Sequence, residues 1–530
     1  MKPVLYVLCS SEDARKAWQR RAGFNRDLEV RLAEPAPSAI AKIHEIAAHR
    51  DAPFLVCRDH VWIGLGMGRQ VEQLIAELDQ RYPNWAACGN RGVRWDGQLL
   101  DFTEEEATVR LRTSLCAHPV LCLDDNLLLI NPPVLRQHRA RAPELAGPQA
   151  GVSLSLECLA NASVMAASPR LLALLREHEG PEILQTLEGD ARFRQYYKAH
   201  FLNPSFTTPA GTLELSDAVE LSGVFELGAE PRQSDVLELF DRALGAAPRK
   251  PSLTICCRTQ FQRPEMLERA ALSFAVCREH ACLLGELQIR LATDQPDAVS
   301  APAVRRLQSI YPAAGLECWH AAVREPRLSR IDLLRAAVER AETDYIWFID
   351  DDDYVIPPAL AALARCLIPD AALMVIASAA RANETWETTA DPATGAVRRT
   401  LAQAARGKGL PASGIFEALR GANWIHLCGM IFPVKLLRER LRDREALGEY
   451  AEDYFLLLLA LTAPRVEVCL LETELAVFSM RGKENTTAEA DRTVWHQSHA
   501  TFLLELLNNQ EGNSPFLWQQ ANASPWDWDS

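Results

Sequence analysis

Four consecutive aspartates, Asp350, Asp351, Asp352 and Asp353, directly follow the apolar run Tyr345-Ile346-Trp347-Phe348-Ile349. That run is aromatic and β-branched, which suits a buried strand, and Pro357-Pro358 punctuates the segment after it. Carboxylates crowded at a strand end repel one another unless a cation sits among them. Hard divalent ions such as Mg²⁺ or Mn²⁺ prefer oxygen ligands and often bind through one or two carboxylates plus substrate phosphates. In open α/β sheets, ligands gather outside the carboxyl ends of the strands. The acidic run therefore predicts a ligand site on an α/β fold rather than a solvated acidic turn.

The rest of the chain supplies the rhythm such a fold needs. With 530 residues it is too long for one ordinary core and predicts two or three domains. A seam falls at Leu244-Gly245-Ala246-Ala247-Pro248-Arg249-Lys250-Pro251, where small residues, prolines and cations precede a new strand. Beyond it the pattern reads strand 253–257, helix 265–277, strand 286–292, helix 329–341 and strand 344–349. Such alternation predicts a mainly parallel sheet covered by helices. Before the seam a weaker version recurs: strand 4–9, helix 36–49, strand 54–57, helix 68–80, a strand-turn at 86–90 and a strand 119–123 ended by Asp124-Asp125. The expected organisation is an α/β domain over 1–246, a second over 251–490, and a C-terminal helix and tryptophan-bearing tail over 491–530. The two halves read as two copies of one architecture.

Composition excludes some functions. A formal net charge of −14 argues against nucleic acid as the main partner. No apolar stretch approaches the length of a membrane span, so any membrane contact is expected to be peripheral at most. The N-terminus reads as a first buried strand rather than a signal peptide. The 14 cysteines lie scattered without metal-type spacing, which points to a reduced, cytoplasmic setting.

Five segments of the second half, together spanning about Leu253 to Thr487, resemble the family-2 glycosyltransferases, inverting enzymes of GT-A fold that use nucleotide sugars. Cys257-Arg258-Thr259-Gln260-Phe261-Gln262-Arg263-Pro264 is similar to the family's opening strand and nucleotide-contacting loop. Asp294 matches the aspartate that accepts a hydrogen bond from the base, although Gln295-Pro296-Asp297 replaces the usual following glycine and serine. Ser329-Arg330 through Asp353 is similar to the family's arginine, helix and aspartate-any-aspartate strand end, with Arg335 where an asparagine is common. Glu452-Asp453 matches its Glu-Asp pair, and Arg481 falls in the segment after the last core strand.

The resemblance implies a set of roles. Arg258, Thr259, Arg263, Asp294, Arg330, Asp350, Asp351 and Arg481 would bind the donor, and Asp352, Asp350 and Asp353 would hold Mn²⁺ or Mg²⁺. Asp453 would be the general base, with Glu452 beside it. Lys483 would join Arg481 over the diphosphate, and Trp424 is a candidate for stacking a sugar acceptor. The implied donor is a nucleotide sugar, and the acceptor a glycan, a lipid-linked glycan or a protein. The first half resembles a degenerate domain of the same fold, lacking both the aspartate-any-aspartate pattern and the Glu-Asp pair. Two rivals stand beside this reading: a nucleotidyltransferase of similar fold, and an inactive glycan-binding or scaffold protein.

Overall fold

The computed structural model describes residues 2–21, 27–33, 38–63, 66–101, 116–143, 150–171, 173–175, 182–215, 235–321, 330–390, 397–414, 425–442, 452–461, 463 and 466–481. The expected tail with Trp518, Trp526 and Trp528 lies outside them, as do Trp424 and Lys483. The chain forms two compact units, Met1–Arg249 and Lys250–Ser530, parting within the proline-bearing seam.

Unit one is built on β1 (Val4–Leu8), β2 (Glu29–Ala33), β3 (Phe54–Arg58), β4 (Trp85–Gly89), β5 (Leu127–Ile130) and β6 (Val164–Ala167), with helix α1 (Ala150–Ala160) leading into β6. Their order across the sheet is β2-β1-β3-β5-β4-β6, extended by the two-residue strand His118–Pro119. Strand β1 runs parallel to β2 and β3, β5 is antiparallel to both β3 and β4, and β4 is parallel to β6.

The single strand expected over 119–123 is instead two. His118–Pro119 pairs with β6, whereas Cys122–Leu123 joins Arg91–Val93 in a separate small sheet. The crossover is carried by Val120, whose N–H bonds Met165, and Leu121, whose N–H bonds Val93. Proline lacks the donor needed to continue one ladder, so the chain changes partner there.

Unit two contains β7 (Ser252–Arg258), α2 (Pro264–Cys277), β8 (Glu286–Thr293), β9 (Leu316–His320), α3 (Arg330–Arg340), β10 (Tyr345–Asp350), β11 (Leu373–Ala390), β12 (Val397–Leu410), β13 (Met430–Pro433), α4 (Glu452–Leu461) and β14 (Glu467–Met480). Its sheet runs β9-β8-β7-β10-β13-β11-β14, then Tyr354–Val355, with β12 hairpinned onto β11. The fold is α/β, as expected, with a mixed sheet. Strands β9, β8, β7 and β10 form a parallel half, and β13 runs antiparallel between β10 and β11.

Six strands of each unit follow one plan. Numbered by their succession along the chain, both sheets read 2-1-3-5-4-6, with the fifth strand antiparallel to its neighbours and the sixth parallel to the fourth. Unit two adds β9 outside β8.

Residues Tyr345 to Ile349 of β10 are fully enclosed, as the uninterrupted apolar run requires for a strand covered on both faces. Helix α4 is apolar all round, Tyr454-Phe455-Leu456-Leu457-Leu458-Leu459, and lies wholly inside the core of unit two. Truncating Leu457 to alanine is expected to destabilise this unit by about 3 kcal/mol, since a fully buried leucine leaves a cavity there. Urea unfolding followed by tryptophan fluorescence checks it.

Candidate active site

The parallel register of unit two brings three strand ends to one edge. Arg258, the last residue of β7, stands opposite Ala292 of β8 on one side and Asp350 of β10 on the other. Asp294 follows directly on β8, so it lies at the same edge. The Thr259 N–H donates to the Ala292 carbonyl at 3.0 Å, continuing the ladder one residue further.

At this edge Arg258 is buried, with 7% of its surface exposed, and holds two acids. Its Nε donates to Asp350 Oδ1 at 2.7 Å, and its Nη1 to Glu452 Oε1 at 2.9 Å. Burial alone would lower the arginine's pKa, but the neighbouring carboxylates more than offset this and raise it above its ordinary value. Glu452 is the first residue of α4, where a carboxylate faces the positive end of the helix dipole. Asp453 follows, its Oδ1 accepting the Tyr454 N–H at 2.8 Å. The expected Glu-Asp pair is thereby tied to the acidic strand end through one guanidinium.

The remaining aspartates are held by the loop between β7 and α2. Thr259 Oγ1 donates to Asp351 Oδ2 at 2.8 Å and also accepts the Phe261 N–H at 2.9 Å. Phe261 has a positive φ of 59°, uncommon for a bulky residue. The loop ends on Arg263, whose Nη1 donates to Asp352 Oδ2 at 2.9 Å. Arg481, just beyond β14, pairs with the same oxygen. Asp353 closes the turn with its N–H on the Asp350 carbonyl at 3.1 Å, and its Oδ1 accepts the Ser479 N–H at 3.0 Å.

Sequence reasoning missed Arg269 on α2. It donates to Glu384 at 2.5 Å, to the Asp352 carbonyl at 2.6 Å and to Ser479 at 3.0 Å, and lies over the ring of Tyr354 at 4.5 Å. A charged residue among Leu267, Ala270 and Ala271 was the available signal. Its partner Glu384 belongs to the β11–β12 hairpin, whose pairing could not be read locally. Arg330 opens α3, but its side chain lies outside the described residues.

Oxygen atoms of Asp350, Asp352 and Asp353 lie within 4.8 Å of one another, and Asp353 Oδ2 is buried with no hydrogen bond among the described residues. An oxygen-only donor set with an uncompensated buried atom fits Mg²⁺ or Mn²⁺. Burial and crowding act on two of these acids. Burial, and then the charge of Asp352, raises Asp351 from 3.8 to about 6. Burial and the charges of Asp352 and Asp350 raise Asp353 well above the carboxylate range.

In unit one the topologically matching strand end is built differently. Arg58 ends β3 where Asp350 ends β10, and it pairs with Asp125 at 2.5 Å. Asp59 accepts the backbone N–H and the hydroxyl of Ser10, much as Asp351 accepts Thr259. Asp124 is paired with Arg91 at 3.0 Å. Glu157 on α1 is not exposed as a base. It is buried between His138 and His44, each at 3.0 Å, and although burial opposes ionisation, these partners lower its pKa to about 2.

No protein-family model matches the chain, and no curated protein matches it. Among solved structures, Staphylococcus aureus TarS residues 1–349 in complex with UDP-GlcNAc matches with a TM-score of 0.35 and 13% identity over 51% of this chain and 72% of that one. A longer crystal structure of TarS matches with a TM-score of 0.32 and 14% identity, covering 48% of this chain and 40% of that one. The mannosyltransferase PcManGT from Pyrobaculum calidifontis, in complex with GDP-Man and Mn²⁺, matches with a TM-score of 0.36 and 14% identity over 52% of this chain and 70% of that one. Likenesses this slight carry no argument about activity, which rests on the chain's own residues.

Two predictions follow from the geometry. Asp351 binds its proton more tightly folded than unfolded, so it lowers stability progressively as pH rises from about 4 through about 6. In chelator-treated buffer at pH 7.5, Asp351→Asn is expected to stabilise the fold by up to roughly 3 kcal/mol, the gain vanishing near pH 4. Denaturant titrations at the two pH values measure this. Arg258→Gln takes the Arg258 charge from the buried Glu452 and the half-buried Asp350, and is expected to cost about 3 kcal/mol by the same assay.

Proposed function

We propose that residues 250–530 form a glycosyltransferase that moves a sugar from a nucleoside-diphosphate donor to an acceptor hydroxyl, with inversion at the anomeric carbon. The observation that carries this reading is the buried Arg258, which joins the acidic end of β10 to the Glu452-Asp453 pair at the start of α4. One side of such a site receives the donor's diphosphate, and the other presents a carboxylate to the acceptor.

In this reading Asp294 holds the nucleotide base, and Asp350 and Asp351 contact the donor near its ribose. Asp352, Asp350 and Asp353 hold Mg²⁺ or Mn²⁺, which when bound would neutralise charge on the leaving diphosphate. Arg263 and Arg481, which converge on Asp352, would donate hydrogen bonds to phosphate oxygens. Asp453 takes the proton from the attacking hydroxyl. The dipole of α4 favours its ionised form. The acceptor would be a glycan, a lipid-linked glycan or a protein.

Unit one serves acceptor binding or assembly in this proposal, because its corresponding strand end carries Arg58 and self-neutralised aspartates. The setting proposed is cytoplasmic. Among the described residues no disulfide joins the 14 cysteines, and no helix is long and apolar enough to cross a membrane.

The deciding experiment uses the full chain with a panel of nucleotide sugars. Asp453→Asn is expected to lower turnover by roughly 10²–10⁴-fold while donor binding, read by thermal shift, is retained. Wild-type turnover in this variant would remove Asp453 from the role of base. Release of pyrophosphate from nucleoside triphosphates would instead identify a nucleotidyltransferase.

A further inference from the structure

Beside the oxygen-only set lies a cluster of different chemistry. One ligand atom from each of Asp353, His426 and Cys428 lies within 4.8 Å of the other two, with His426 Nδ1 3.2 Å from Cys428 Sγ and 3.6 Å from Asp353 Oδ2. We propose that Asp353, His426 and Cys428 form a zinc-type site, which shares Asp353 with the oxygen-only set.

Each ligand is held by its neighbours. Cys428 sits in the short turn Leu427–Gly429, and its carbonyl accepts the indole N–H of the buried Trp347 at 2.8 Å. A Cβ at Gly429 would come within 2.8 Å of the Ala377 carbonyl, so the turn is pressed against β11 and admits no bulkier residue. The His426 ring stacks on Phe478, with centroids 4.9 Å apart and planes 13° from parallel. Asp353 spends Oδ1 on the Ser479 N–H, which turns Oδ2 towards the imidazole and the thiol. Ligating carboxylates and imidazoles are commonly oriented by such outer contacts.

The spacing also suits a metal. Tetrahedral zinc with ligands at about 2.0–2.3 Å separates those ligands by about 3.5 Å, a value that the observed 3.2 and 3.6 Å bracket. At 3.6 Å the imidazole and carboxylate are too far apart for a hydrogen bond. Asp353 Oδ2 is otherwise without a hydrogen-bond partner among the described residues, a costly state for a buried carboxylate. At Nδ1 a cation would replace the 3.2 Å hydrogen bond with Cys428 Sγ and compete with the Cys428 N–H at a long 3.4 Å. One sulfur, one nitrogen and one oxygen select zinc over magnesium, and three protein ligands leave a fourth position for water. On binding, the thiol gives its proton to solvent and the sulfur becomes the thiolate ligand. The cation would tie the end of β10 to the turn preceding β13, whether or not the neighbouring aspartates serve sugar transfer.

The test loads the full chain with Co²⁺ as a spectroscopic stand-in for Zn²⁺ and measures absorption, with Zn²⁺ content of the purified protein alongside. The expected result is an intense tetrahedral visible spectrum with a thiolate-to-cobalt band, displaced by Zn²⁺ and unaffected by excess Mg²⁺. Cys428→Ser should abolish the thiolate band, and both it and His426→Ala should weaken Zn²⁺ binding by more than about tenfold. A weak octahedral spectrum, or an unchanged thiolate band in Cys428→Ser, overturns the proposal. If that variant fails to fold, X-ray absorption of zinc-loaded wild-type protein decides: a shell containing one sulfur supports the site, and a shell of oxygen and nitrogen alone rules it out.

Discussion

A single guanidinium organises the working edge of unit two. Arg258 reaches Asp350, 92 residues away in the chain, and Glu452, 194 residues away, from a position almost sealed from water. With Arg258 between the two carboxylates, a strand end and a helix start acquire one fixed separation. Such an ionic cluster is weak evidence of net stability, but removing its centre takes from both acids the charge that Arg258 supplies. The same device repeats more loosely at Asp352, where Arg263 and Arg481 converge from opposite ends of the unit.

The acids are more numerous than these arginines can satisfy. Asp351 and Asp353 are pushed towards protonation, and Asp353 keeps one buried oxygen without a hydrogen bond among the described residues. A fold selected for stability alone has no reason to stack four carboxylates at one strand end. Local rules broken in this way are expected at functional sites, and the proposed transfer chemistry and the proposed zinc-type cluster meet at Asp353.

The shared 2-1-3-5-4-6 strand plan sharpens the contrast between the units. At matching strand ends, unit two carries Asp350 where unit one carries Arg58, and the neighbouring acids of unit one are neutralised by Arg58 and Arg91. The scaffold is common, whereas the charge pattern at its carboxyl edge differs. A fold does not dictate an activity, and the residues at its edge do.

Local sequence determined the elements whose signals are local. The aromatic and β-branched run from Tyr345 to Ile349 pointed to a buried strand, and the small residues and prolines around Pro248 and Pro251 to a seam. Alternating periodicity cannot say which strands are neighbours, so the antiparallel insertion of β13, the long β11–β12 hairpin and the switch of partner at Pro119 emerged only in three dimensions. The same holds for the site. The aspartates were legible because they are contiguous, but the meeting of Arg258 with Glu452, of Arg269 with Glu384, and of Asp353 with His426 and Cys428 spans 73 to 194 residues of chain. Sequence determined which charges the protein carries; tertiary structure decided which of them are neutralised, because Coulomb and hydrogen-bond energies depend on distance and burial rather than on position along the chain.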